Sequence, residues 1–150
     1  MNEKEYVNKI ELFLNNNNFK TWREVIPIEC QKWEKPYRID LIFYKKDLGY
    51  FAVEAKYLNT LGQGGKVAGA LEQIKKYRNL TYFNNIKIKE WSIVLHHNVY
   101  DNMDDMIITR FIKHFLNYYN VGLLDFQEKG CYTRIYINSF TKKSITIGGD

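Results

Sequence analysis

Apolar positions recur along this chain with two periods, and the switches between them divide it into elements. From Glu3 to Asn15 the spacing is helical: Tyr6, Val7, Ile10, Phe13 and Leu14 fall on one side. The run Asn15–Asn18 ends it, because asparagine favours caps and turns over helix interiors. From Phe19 to Cys30 the period changes to two. Trp22, Ile26 and Ile28 alternate with Arg23, Val25 and Pro27, which predicts a strand, with Pro27 at an edge or a bulge. On that alternation Glu24 lies on the Trp22–Ile26 face. Gln31–Pro36 is a polar connection. Tyr37 to Tyr57 then reads YRIDLIFYKKDLGYFAVEAKY, two β-rich runs around a polar break at Lys45–Gly49. So short a break predicts an antiparallel hairpin.

The second half alternates helices and strands. Asn59–Gly65 is a glycine-containing loop, and Lys66 to about Leu80 is a helix with Val67, Leu71, Ile74 and Arg78 on one stripe. Gly69, Gln73 and Tyr77 form the next stripe. Trp91–His96 holds the apolar run SIVL, a buried strand. A helix capped by Asp101 or Asp104 runs to about Tyr119, with Ile107, Ile108, Phe111, Ile112, Phe115 and Leu116 on its apolar face. Val121–Phe126 is a fifth strand, and Tyr132–Asn138 with Ser144–Ile147 reads as a C-terminal β-hairpin. The expected fold is α/β, a mixed central sheet flanked by helices. Its first three strands meander and the later ones are reached by crossovers.

Charges stand where this pattern expects apolar groups. Residues two apart in a strand share a face. Glu54 and Lys56 therefore project with Ala52 and Tyr50, and Asp40 projects with Arg38 and Ile42. Charges in buried strands are costly unless paired or bound to a metal. Taken alone, Asp40 is an acid that could pair with Arg38, and Glu54 and Lys56 a solvated pair. The apolar run FAVEAKY around the latter weighs against that. Two carboxylates from adjacent strands, with the Ala55 carbonyl between Glu54 and Lys56, make an oxygen donor set suited to Mg²⁺ or Mn²⁺. A lysine beside them completes an arrangement for phosphodiester cleavage.

Composition narrows the class only mildly. The chain has 150 residues, one domain on length grounds, and a net charge of +5 that favours an anionic partner such as DNA. Cys30 and Cys131 form no CxxC, so a reduced pair is expected. Met1–Glu11 is charged and lacks an apolar stretch, and no run reaches the ~20 residues of a membrane span, so a cytoplasmic location is expected. The segment Gly62–Lys66 fails the phosphate-loop pattern, since Thr60 stands where its first glycine belongs and Val67 follows the lysine. It reads as a loop over the site. His96 and His97, adjacent at a strand end, point apart and suit a polar terminus better than a metal; His114 reads as a structural or exposed helix residue.

Asp40, thirteen residues, and then Glu54-Ala55-Lys56 at the end of the next strand resemble the PD-(D/E)XK nuclease superfamily, which includes restriction endonucleases, Holliday junction resolvases and RecB-like exonucleases. Arg23-Glu24-Val25 precedes Arg38-Ile39-Asp40 at the corresponding strand spacing. Gln73 to Tyr77 is similar to the QxxxY helix motif of the RecB-like branch, and Val121-Gly122-Leu123-Leu124 to the strand that closes the core. Ile39 stands where the motif's name has proline. The resemblance spans Glu3 to Phe126. It implies a restriction endonuclease-like αβββαβ core in a single domain and a Mg²⁺- or Mn²⁺-dependent deoxyribonuclease. Asp40 and Glu54 would bind the metal with Ala55, and Lys56 would be the catalytic lysine. Gln73, supported by Tyr77, would place DNA or the nucleophile. A further acid would come from upstream: Glu24, with Glu5 or Glu11 as alternatives. Arg23, Arg38, Lys66, Lys75 and Lys76 are the cations expected to meet the nucleic-acid backbone. A junction resolvase would work as a homodimer, an exonuclease need not. The alternative is a catalytically silent nucleic-acid-binding module of the same fold.

Overall fold

The computed structural model describes residues 2–56, 64–95, 116–127, 132–138 and 143–148. Helix α1 spans Glu3–Asn16. Asn2 caps it: its side chain accepts the Glu5 amide at 2.9 Å while Glu5 reaches back to the Asn2 amide, satisfying two otherwise orphaned donors. Tyr6, Val7, Ile10 and Leu14 form its buried stripe. Strands β1 (Lys20–Val25), β2 (Ile39–Lys45) and β3 (Gly49–Lys56) follow as an antiparallel meander. Lys45 and Gly49 close the β2–β3 hairpin, and Gly49 takes φ 86, a left-handed conformation that glycine adopts without steric strain.

Helix α2 (Gly64–Tyr77) carries the chain from β3 to β4 (Glu90–Leu95), which pairs parallel to β3. Strand β5 (Gly122–Gln127) is parallel to β4, and β6 (Tyr132–Asn138) and β7 (Lys143–Gly148) add an antiparallel hairpin. Among the described residues, one mixed sheet runs in sequence order from β1 to β7. The αβββαβ order expected from the sequence is the observed one.

Strand alternation sends the two sheet faces to different helices. Leu41, Phe43, Phe51, Val53, Ala55 and Val94 are buried with the apolar stripe of α1. Ile42, Ala52, Trp91 and Ile93 are buried with Val67, Ala70, Leu71 and Ile74 of α2. Leu116, from the helical residues 116–119, joins the second layer. The remainder of the helix expected up to Tyr119 lies outside the described residues, as do His96, His97, His114 and Cys131.

Two boundaries differ from the sequence reading. The strand expected over Phe19–Cys30 ends at Val25, and Ile28–Cys30 is a 3₁₀ turn. Pro27 brings no amide to a ladder, and the Ile28 amide bonds the Thr81 carbonyl at 2.9 Å instead. Glu29 accepts the Thr81 amide at 3.0 Å, so this turn is pinned to the chain just beyond α2. Helix α2 stops at Tyr77 rather than Leu80. Arg78 turns inward and donates to the carbonyls of Tyr119 and Asn120, at 2.9 and 3.0 Å.

Candidate active site

The charged residues of β2 and β3 meet at one end of the sheet, where the hairpin ladder stops. The last paired residues are Leu41 and Val53. Asp40 and Glu54 stand one register step beyond them. There the ladder is replaced by a side chain: Asp40 Oδ2 accepts the Ala55 amide at 2.8 Å. The amide and carbonyl of one strand residue face the same edge, so the Ala55 carbonyl is directed to the Asp40 side. Glu54 is only 3% exposed. Its Oε1 accepts a 2.5 Å hydrogen bond from the Tyr37 hydroxyl, and the Asp40 carboxyl lies close enough to act on its charge.

Electrostatics follow from this crowding. Burial pushes the Glu54 carboxyl up to about 8, the facing Asp40 charge adds to the rise, and the Tyr37 hydrogen bond and Lys56 oppose it. Burial also raises Asp40, partly offset by the Ala55 amide. Burial and the Glu54 charge hold the Tyr37 hydroxyl firmly protonated, as a donor. Two carboxyls this close share protons as a pair.

The pair opens into a cleft of about 430 Å³ lined by Glu3, Lys35, Pro36, Tyr37, Arg38, Asp40, Glu54, Lys56, Gln73 and Tyr77. Gln73 and Tyr77 come from α2, one turn apart. The Tyr37 and Tyr77 rings stack face to face, centroids 4.0 Å apart and planes within 7°. An adjoining groove along α2 adds the exposed Lys75 and Lys76, and the Lys76 ammonium sits 5.3 Å from the Tyr77 ring centre.

Asp40, Glu54, Lys56, Gln73, Tyr77 and Arg38 thus line one cleft, with Lys75 and Lys76 beside it. Four expected residues stand elsewhere. Glu24 is exposed and does not line the cleft. By register it faces Asp40, but its backbone takes φ 51, which breaks strand pairing there and turns it off the expected face. Glu11 lies 3.5 Å from the Arg23 guanidinium and accepts the Thr21 hydroxyl at 2.9 Å. Glu5 serves the α1 cap. Arg23 itself bonds Asn8 and, at 3.3 Å, the Asp40 carbonyl, tying α1 to β2. The side chain of Lys66 lies outside the described part.

Four lining residues escaped the sequence reading, three of them with polar side chains. Glu3, in the first turn of α1, is the upstream acid that reaches the cleft, and its charge raises Asp40. First-turn acids are ordinary helix chemistry, so nothing local flagged it. Tyr37 pairs with a residue seventeen positions away. Lys35 belongs to a connection read only as polar.

The donor set fits a hard divalent cation. Two facing carboxylates out of water repel, all offered atoms are oxygens, and the Ala55 carbonyl edge adds one more. Among the described residues no third Asp, Glu, His or Cys joins them in a metal-holding group, so water would fill the other positions.

No protein-family profile matches the chain, and no curated protein does. Among solved structures, a protein of unknown function from Silicibacter pomeroyi is similar over 74% of this chain, at 14% identity and a TM-score of 0.36. The chain spans about half of that protein, 54% of its length.

Proposed function

We propose that this chain is a Mg²⁺- or Mn²⁺-dependent deoxyribonuclease of the PD-(D/E)XK type. One observation carries the reading: Asp40, Glu54 and Lys56 share one cleft with Gln73 and Tyr77 of α2. A bound divalent cation polarises a phosphoryl group and lowers the pKa of water. Asp40, Glu54 and the Ala55 carbonyl would hold it. Lys56, beside the pair, steadies negative charge that builds on the phosphate as the bond breaks. Gln73 forms the wall opposite and orients the scissile strand. Lys35, Arg38, Lys75 and Lys76 neutralise flanking phosphates. Glu3 takes the upstream-acid role at the cleft mouth.

No helix among the described residues is long and apolar enough to cross a membrane. A cytoplasmic protein meeting DNA directly is the reading we adopt. The test is Mn²⁺-dependent cleavage of end-labelled single-stranded, duplex, flap and four-way junction DNA. Cleavage should disappear in Asp40→Ala and fall by about 10²–10³-fold in Lys56→Ala. Unchanged cleavage in both variants would sink the assignment. DNA binding without turnover would instead leave a silent binding module. Paired incisions on the junction, with a dimer in solution, would favour a resolvase; end-dependent trimming would favour an exonuclease.

A further inference from the structure

Tyr37 brings the acidic pair a hydrogen bond from outside β2 and β3, and its ring also touches α2. Its hydroxyl holds Glu54 Oε1 at 2.5 Å, while the Ala55 amide holds Asp40 Oδ2 at 2.8 Å. Each carboxylate therefore has one oxygen fixed by the fold. The other is left for its neighbour or for a ligand. The Tyr37 ring lies flat on Tyr77 at 4.0 Å, and the Tyr77 carbonyl is itself fixed by the Tyr82 hydroxyl at 2.9 Å. Tyr82 is fully buried. A rigid chain of contacts thus runs from the core, through α2 and two stacked rings, to one oxygen of Glu54.

We propose that Tyr37 is the positioning residue of the cation site: its hydroxyl fixes which Glu54 oxygen faces Asp40, and its stack on Tyr77 sets the distance between that site and α2. This rests on the metal-site reading above. Ligating carboxylates are commonly held by such outer hydrogen bonds, and loss of one costs about 10–100-fold in metal affinity. Tyr37 does not touch substrate in this role. It acts through Glu54.

The experiment compares Mn²⁺ binding, by titration calorimetry without DNA, in wild type, Tyr37→Phe and Asp40→Asn, with thermal melts of each. Tyr37→Phe keeps the ring and the stack and removes one oxygen atom. Mn²⁺ affinity should fall by about 10–100-fold in Tyr37→Phe and be lost in Asp40→Asn. Wild-type affinity in Tyr37→Phe, with binding lost in Asp40→Asn, overturns the role of Tyr37 and leaves the site intact. Wild-type affinity in both, or no Mn²⁺ binding by wild type, overturns the site and the inference together. If Tyr37→Phe melts early, the Mn²⁺ electron paramagnetic resonance spectrum of the folded fraction decides. A signal identical to wild type at matched loading and free Mn²⁺ overturns the proposal, and a larger free-ion fraction supports it.

Discussion

Asp40 faces Glu54 one step past the end of the β2–β3 ladder, in a site where Glu54 is 3% exposed and the Asp40 charge acts on it. Folding therefore favours a proton on the pair. The folded pKa of Glu54 is about 8 against an ordinary 4.5, so between those values the folded chain holds a proton the unfolded chain has released. The contribution is fully present below 4.5 and is lost as pH rises through about 8. Asp40, also raised, acts in the same direction. In EDTA the unfolding free energy should fall as pH rises from 4.5 to about 8, with a slope of up to about 1.4 kcal/mol per pH unit. Asp40→Asn should flatten the fall. A flat wild-type profile would contradict the buried pair.

Helix α2 separates buried from cleft-lining positions on adjacent residues. Ile74 is fully buried between α2 and the sheet, while Gln73 is exposed on the cleft wall. Ile74→Ala should cost about 2–5 kcal/mol in denaturant unfolding. Gln73→Ala should change stability by no more than about 0.5 kcal/mol and still lower the rate of DNA cleavage. Equal stability losses in the two variants would mean that α2 sits in another rotation about its axis.

The cations divide in the same way. Lys75 and Lys76 are exposed along the α2 groove, whereas the Arg23 guanidinium is occupied by Glu11, Asn8 and the Asp40 carbonyl. A phosphate-contacting lysine releases about one counterion, so replacing Lys75 or Lys76 with Ala should reduce the salt slope of DNA affinity by about one. Arg23→Ala should leave that slope unchanged and cost about 1–2 kcal/mol of stability, from a partly buried ion pair and a hydrogen bond. Fluorescence anisotropy over a salt series measures the first effect and chemical denaturation the second.

The parts of the site legible in the sequence are those set by a local period. Alternation in FAVEAKY placed Glu54 and Lys56 on one strand face with Ala52, the face that α2 covers, and helical spacing placed Gln73 and Tyr77 one turn apart. The parts that were missed depend on backbone conformation or on distant pairing. The apolar alternation continues through Ile26 and Ile28, yet Pro27 has no amide and Ile28 bonds Thr81, so the strand does not continue with it. Tyr37 reads as the start of a strand. Its role exists only because the fold brings Glu54 and Tyr77 to its hydroxyl and its ring. Glu3 looks like any first-turn acid until α1 is docked on the sheet.

Glu24 offers the sharpest test of that distinction. Period-two reading puts its side chain beside Asp40, but φ 51 turns it to solvent while Glu3 lines the cleft. A non-glycine residue in left-handed backbone is strained by roughly 1–2 kcal/mol, whereas glycine pays mainly a chain-entropy cost of about 0.5–1 kcal/mol. Glu24→Gly should therefore stabilise the protein by up to about 1 kcal/mol and leave Mn²⁺-dependent cleavage unchanged. Glu3→Gln should lower cleavage with little change in stability, because the first-turn acid is replaced by a side chain of the same shape. Loss of cleavage in a folded Glu24→Gly variant, with full activity in Glu3→Gln, would return the upstream-acid role to β1. It would also mean that the strand pairs regularly through Glu24 when DNA is bound.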